Sequence, residues 1–391
     1  MAREEKPYRV YRGGRVKGKV PAPARPARAK PARADGRVDY RGPGARQQRP
    51  PWRRRILLGA LVLFVLIVLW ALTSYLSFRN GVGDANKRLD PNARLALTTQ
   101  GGLLLSHPTT ILLLGTDTAQ VGGREGDRHS DSIMLVRTDP SHHRISYLSI
   151  PRDLRVPVPG VGDTKINAAM QAGGPALAIK TIRQFTGIQI NHVVIVDFAD
   201  FKDLIDALGG ITVNVPRPVR SNRFDCPYAT QQRCQQWQGW RFHAGKQHMD
   251  GKRALIYSRI RENLLDPRES NDLVRSARQQ SVIQAVTAKL TSFTTLLELP
   301  FKGSSVAKPL TTDLSTGQLL QLGWIKFRSS NATALHCRLG GDVSTATGQS
   351  LIEPSEDNRN AIAMFDGDSA PQPPPPGEPF APGCVTGHVL Q

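Results

Sequence analysis

The most apolar stretch of the chain, ILLGALVLFVLIVLWALTSYL from Ile56 to Leu76, runs for 21 residues without a charge. As a helix rising about 1.5 Å per residue it would be about 31 Å long, close to the roughly 30 Å core of a bilayer. The pattern predicts a transmembrane helix over 56–76. A cleaved signal peptide is the competing interpretation, but the run is too long, the extension before it too large, and no small-x-small site ends it. Beyond Thr110 the pattern changes to short aliphatic or β-branched runs bounded by turn residues, which read as strands. These are Thr110 to Asp117, Asp131 to Asp139, His143 to Ile150, Asn191 to Phe198 and Gly210 to Val215.

Helical segments fall between and after the strands. Pro175 to Phe185 has Pro in its first turn and Gly187 as a stop, and Phe201 to Leu208 is closed by Gly209 and Gly210. A longer helix follows Asp272, with Val274, Ala277, Ile283, Val286 and Leu290 near helical spacing. Strands interleaved with helices predict an α/β fold: a mixed central β-sheet sandwiched by helices, preceded by one transmembrane helix.

Charge changes the picture for the first 55 residues only. They hold 18 of the 52 Lys and Arg and 4 of the 32 Asp and Glu, a net +14 of the chain's +20, which leaves +6 for the rest. A high overall pI therefore does not make the folded part a nucleic-acid binder. The segment is rich in Pro, Ala, Gly and Arg and poor in large aliphatic residues, a composition too weak to build a core, so it is expected to be disordered. Arg53, Arg54 and Arg55 abut the apolar run, whereas the far flank offers Arg79, Lys87 and Arg88. The positive-inside rule then predicts a cell-membrane, single-pass protein with a cytoplasmic N-terminus and residues 77–391 outside. All four cysteines lie on that far side. Cys226 with Cys234 and Cys337 with Cys384 is the favoured pairing, free buried thiols the alternative.

Candidate chemistry collects at strand ends. Asp117 closes one apolar strand and Asp131 opens the next, so if the strands are neighbours two carboxylates converge at one sheet edge. Such a pair suits a hard cation such as Mg²⁺, although strand-edge aspartates are commonly solvated caps. Arg152 follows a strand in SIPRD, and Arg259 and Arg261 form an i, i+2 pair in SRIR that fits a helix end or extended turn. Arg275 and Arg278 share a helix face, with Gln279 beside them. Guanidinium groups grip phosphates in bidentate fashion. Salt bridges to Asp153, Glu262, Asp266 and Asp272 are the alternative for any one arginine. Taken together, the groups suggest a metal and pyrophosphate site.

The ordered motifs ILLLGTD, SDSIMLV, YLSIPRD, KINAAMQAGGP, FTGIQINHVVIVDF, LIDALGGITVNV, HMDGKRALIYSRIR and DLVRSARQQ resemble the LytR-CpsA-Psr family of cell-wall glycopolymer transferases from about Thr110 to Leu299. The resemblance implies a membrane-anchored phosphotransferase. Its donor would be a glycan on undecaprenyl pyrophosphate. Its acceptor would be peptidoglycan, at the C6 hydroxyl of N-acetylmuramic acid, joined through a phosphodiester. Carried over by motif, Asp117 and Asp131 are Mg²⁺ ligands, and Arg152, Lys165, Arg259, Arg261 and Gln279 bind pyrophosphate with Arg275 and Arg278 nearby. Asp117, Asp131 and Arg152 form the catalytic set, and either Asp117 or a metal-bound hydroxide takes the acceptor's proton. The family arginine two residues before the second aspartate is here His129, with Arg128 displaced by one; Arg128 reaching the phosphate through a bulge is preferred to His129.

The chain then divides into the basic tail 1–55, the membrane helix 56–76, a stalk 77–106, a catalytic domain 107–300, a C-terminal extension 301–367 and a Pro-rich segment 368–391. The apolar tail of the carrier calls for a groove, which the aliphatic faces of Pro175 to Phe185 and Phe201 to Leu208 could line if they are not ordinary core. The motifs give no guidance on the loop from Pro216 to His248. Two other functions remain open: a hydrolase that releases the glycan phosphate to water, and an envelope regulator acting through the basic tail. For that tail, attraction to anionic lipid is simpler than specific nucleic-acid binding.

Overall fold

The computed structural model of the chain describes residues 51–118, 128–267, 272–344, 351–376 and 381–387, leaving aside the side chains of Pro51, Asp117, Thr118, Arg128, His129, Asp272, Leu273 and Ser276. The basic tail before Pro51 lies outside the described residues. Among the described residues, those from Ala60 onward form one compact unit, and Pro51 to Gly59 fall outside it.

In chain order the described elements are α1 (Pro51–Lys87), α2 (Pro91–Ala96), β1 (Thr109–Thr118), β2 (Arg128–Asp139) and β3 (Arg144–Ile150). A small hairpin, β4 (Arg155–Val158) with β5 (Gly162–Lys165), leads into α3 (Ala168–Thr186), β6 (His192–Asp197), α4 (Phe198–Ala207) and β7 (Ile211–Val215). Next come β8 (Val219–Arg220), α5 (Gln231–Gln236), β9 (Arg241–Phe242), β10 (Gly245–Met249), α6 (Gly251–Arg259), α7 (Asp272–Leu290) and α8 (Phe293–Ala307). The chain finishes with β11 (Thr311–Thr312), α9 (Thr316–Arg328), β12 (Leu335–Arg338), β13 (Gly341–Ser344), β14 (Leu351–Pro354), α10 (Asn358–Asp366) and β15 (Gly383–Thr386).

The expected mixed sheet has seven strands in the order β11-β6-β1-β2-β3-β12-β15. The pairs β1 with β6 and β3 with β12 are parallel, the rest antiparallel. Strand side chains alternate between faces, and both faces are apolar. Leu112, Leu135, Leu148 and Val193 point into the main core with Ala169, Ile179 and Ile182 of α3. Leu113, Met134, Val136, Ile145 and Tyr147 lie on the opposite face, with Ile283 of α7 against them. Helix α3 is two limbs: Gly173 and Gly174 have non-helical backbones, and Pro175 restarts the helix, which ends at left-handed Gly187 as its spacing predicts. The expected strand Gly210 to Val215 forms as β7, but pairs with β10 in a separate two-stranded sheet over a second core built with α4, α6 and α7.

Four boundaries differ from expectation. Helix α1 extends to Lys87, beyond the apolar run. The segment expected to be a stalk is packed rather than free-standing: Leu89, Ala93 and Ala96 are buried in the main core. The extension and Pro-rich segment are integral too, because β12 and β15 complete one edge of the sheet and β11 the other. Cys337 and Cys384 stand opposite each other in the β12–β15 ladder and are bonded there, and Cys226 is bonded to Cys234.

Candidate active site

Parallel pairing of β1 with β6, and antiparallel pairing of β2 with both β1 and β3, brings the carboxyl ends of β1, β3 and β6 to one sheet edge together with the start of β2. This is where open α/β sheets bind ligands. The two expected carboxylates are on neighbouring strands, but Asp131 does not open its strand. It is the fourth residue of β2 and the extra residue of a β-bulge, because Gly115 pairs with Ser132 and Thr116 with Ser130. A bulge re-aims a side chain, and Asp131 borders a large cavity. The backbone of Asp117 faces His129 in the ladder and that of Thr118 faces Arg128. The side chains of Asp117, Arg128 and His129 lie outside the described residues.

Arg152 sits in the turn that leaves β3 and donates to Asp131 through Nη1 and to Asp153 Oδ2 through Nε at 3.4 Å. Lys165, at the end of β5, donates to Asp153 Oδ1 at 2.9 Å. The hairpin makes this meeting possible, since its ladder pairs Arg155 with Lys165 and returns the chain to the PRD turn. Burial alone would raise the Asp153 carboxyl, but Arg152, Lys165 and Arg275 together hold it below its ordinary value. Arg275 comes from α7 and donates to the Asp131 backbone oxygen at 3.3 Å.

Helix α6 ends at Arg259, and Ile260 is extended and fully buried. One extended residue between them lets Arg259 and Arg261 both border the cavity, the helix-end geometry expected for SRIR. Arg259 pairs with Asp225 and lies over the Phe198 ring at 5.0 Å. Gln279 also borders the cavity, but Arg278 does not. Although Arg278 shares a helix face with Arg275, it is buried and donates to the Ile260 carbonyl at 2.8 Å. It ties α7 to the end of α6 and holds the Arg259–Arg261 turn, a structural role in place of the expected phosphate contact.

From this charged end the cavity continues as an apolar space of about 1500 Å³ in all. Its floor is the Leu113, Val136 and Tyr147 face of the sheet, and its walls come from α4, α7, α8 and α9. Of the two helices expected to line a lipid groove, α4 lines this cavity through Phe201 and Leu204. The segment Pro175 to Phe185 does not, because its apolar face is spent in the main core. Three contributors went unrecognised in the sequence. Asp153 was visible only as an arginine's salt-bridge partner. Asn222 and Phe224 at the cavity, and Asp225 on Arg259, belong to the loop carrying the Cys226–Cys234 bond. Leu299, Leu320 and Trp324 come from α8 and α9, more than a hundred residues beyond the strands they face.

The model of the LytR_cpsA_psr family matches residues 72–363, and the chain belongs to that family. It is 30% identical over 288 residues to the polyisoprenyl-teichoic acid–peptidoglycan teichoic acid transferase TagV of Bacillus subtilis, covering 72% of this chain and 70% of that protein. The corresponding TagU of Bacillus cereus is 28% identical over 275 residues, 69% of this chain and 83% of the relative. The crystal structure of Bacillus subtilis TagV superposes with a TM-score of 0.52 at 27% identity, covering 68% of this chain and 99% of that one.

Proposed function

We propose that the protein is a membrane-anchored phosphotransferase that moves a glycan polymer from a polyprenyl-pyrophosphate carrier, undecaprenyl pyrophosphate, to the C6 hydroxyl of N-acetylmuramic acid in peptidoglycan. The observation that carries the reading is the cavity itself: one end gathers Arg152, Lys165, Arg259, Arg261 and Arg275, and the remainder is apolar. A lipid diphosphate has this same division of charge and hydrocarbon. The names of the two transferase relatives support glycopolymer transfer as the reaction class. In this reading α1 spans the membrane, the tail is cytoplasmic and the disulfide-bonded domain lies outside.

The acceptor oxygen attacks the phosphorus that carries the glycan. A new O–P bond forms, the bridging P–O bond breaks, and its electron pair leaves with polyprenyl phosphate. The acceptor's proton passes to a base, for which Asp117 is this chain's own candidate. Charge accumulates on the phosphoryl oxygens, so fixed guanidinium groups supply much of the catalysis. Arg152 is held between Asp131 and Asp153, and Arg259 between Asp225 and Phe198, which orients both before substrate arrives. Asp131, paired with Arg152 through Oδ1, is a hard oxygen donor of the kind Mg²⁺ takes, and with Asp117 as its partner it would hold the ion. Bound there, the ion would neutralise phosphate charge.

The test is the full chain in phospholipid vesicles, supplied with a lipid-linked glycan and peptidoglycan, with the linkage read by mass spectrometry. A muramic acid phosphodiester formed with Mg²⁺, and lost in excess chelator or on Asp131→Ala, is the expected result. Release of glycan phosphate to water alone would make the protein a hydrolase. Full activity in chelator would remove the metal from the account.

A further inference from the structure

The wide end of the cavity carries an unusual surface. Among the described residues, Phe293, Leu297 and Phe301 of α8 are 71%, 50% and 86% exposed, and Leu320, Trp324 and Phe327 of α9 are 49%, 53% and 68% exposed. Isolated exposed apolar residues are ordinary, but six of them on two helices that line one cavity mark an interaction surface. Trp324 and Phe327 stack at 5.8 Å, and Phe293, Leu320, Trp324 and Phe327 border the cavity and form its rim, with Leu297 and Phe301 on α8 outside it.

What covers the rim follows from where α8 is fastened. Trp70 Nε1 donates to the Leu297 carbonyl at 3.2 Å, and the Ser304 amide donates to Ser77 Oγ at 3.2 Å. Two glycines make this contact possible: a Cβ on Gly81 would stand 2.7 Å from Ser304 O, and one on Gly303 3.0 Å from Phe78 N. Helix α8 therefore lies directly against α1. Trp70 belongs to the apolar run that ends at Leu76, six residues on. At about 1.5 Å per residue, Leu297 is about 9 Å inside the end of that run. A surface fastened at that depth to a bilayer-spanning helix has lipid beside it, and aromatic residues favour that boundary. The charges on α8, Glu298 and Lys302, pair with each other at 2.9 Å, which eases their approach to the interface.

We propose that the exposed faces of α8 and α9 are immersed in the phospholipid leaflet beside α1, so that the cavity opens into the membrane and an isoprenoid tail enters it without crossing water. This rests on α1 as a bilayer-spanning helix and on the cavity as a polyprenyl site.

Both disulfides are formed, so a cysteine introduced singly is the sole free thiol. Nitroxide labels at Leu66→Cys, Phe301→Cys, Trp324→Cys and Val343→Cys in the full chain, reconstituted in phosphatidylglycerol vesicles, report collisions with oxygen and with a water-soluble nickel chelate. Oxygen should dominate at 66, 301 and 324 and nickel at 343, which is exposed elsewhere. Lipid exposure at 66 with nickel dominating at 301 and 324 overturns the proposal and leaves the anchor standing. Nickel dominating at 66 overturns the anchor and the proposal with it. Shielding of 301 from both agents, with spin–spin broadening between chains, assigns the surface to a second copy and also overturns it. Phe301 does not border the cavity, so Phe301→Glu should lower transfer from a donor in the bilayer several-fold and leave a short-chain, water-soluble donor unaffected. Equal turnover with both donors would contradict lateral entry.

Discussion

On one face of the central sheet Leu112, Leu135 and Leu148 are completely buried against α3. On the other, Leu113, Val136 and Tyr147 come from the same three strands and border an open cavity. The residue types are alike, so hydrophobicity along the strands does not distinguish them. The difference lies in the covering helices. The two limbs of α3 bring alanines and isoleucines close to the first face, whereas α7 touches the second at Ile283 and α9 at Val194, leaving open space between them. One face is a core, and the other is the wall of an open cavity that the proposed polyprenyl chain would fill.

Substitution should separate the faces most strongly in stability. Leu135→Ala removes packing where nothing can replace it and is expected to cost roughly 2 to 5 kcal/mol, seen as a large fall in melting temperature by near-ultraviolet circular dichroism. Leu113→Ala opens onto existing space, so it should cost much less and instead weaken polyprenyl binding. Equal losses of stability would show that the second face is also a closed core.

The charged end responds in rate. Arg152→Ala should lower single-turnover transfer by roughly 10²- to 10³-fold, the usual effect of removing one preorganised charge, with little change in melting temperature. The reverse pattern would make Arg152 a structural ion-pair partner. Arg278→Ala should behave in the opposite way. It loses a buried charged hydrogen bond, typically about 1.5 to 3 kcal/mol, while turnover per folded molecule stays close to that of the parent.

The smallest effect is electrostatic. The folded Asp153 carboxyl is held below its ordinary value of 3.8, so its stabilisation is complete above the unfolded value and lost as pH falls through the folded one. The parent should lose stability on acidification more steeply than Asp153→Asn, so that the gap in melting temperature narrows from about pH 5 to pH 3. A gap independent of pH would mean that the carboxylate is not held by its cationic neighbours.

Much of the scaffold was legible because its signals are local. Strands β1, β2, β3 and β6 fall within a few residues of their expected limits, and SIPRD and SRIR put their arginines at a strand end and a helix end. What was not legible depended on partners. A strand pattern does not name the strand it will pair with, so β7 was recognised while its separate sheet was not. Arg275 and Arg278 occupy one helix face, and only the position of the Ile260 carbonyl decides which becomes structural. The apolar walls come from α8 and α9, whose exposed residues have no role until the distant sheet is placed beneath them. Near the C-terminus the proline run concealed β15, which its ladder with β12 and the Cys337–Cys384 bond hold in the sheet.

The most direct measurement compares two ligands that differ only at the charged end, a polyprenyl pyrophosphate and the matching polyprenyl alcohol, titrated into the full chain in detergent micelles. The pyrophosphate should bind more than about tenfold tighter, since one charge-assisted hydrogen bond is worth about 1.5 to 3 kcal/mol and about 1.4 kcal/mol is tenfold. Arg152→Ala should erase most of that advantage and leave the alcohol unchanged. Equal affinity for the two ligands in the parent protein would contradict a lipid-diphosphate site at the sheet edge.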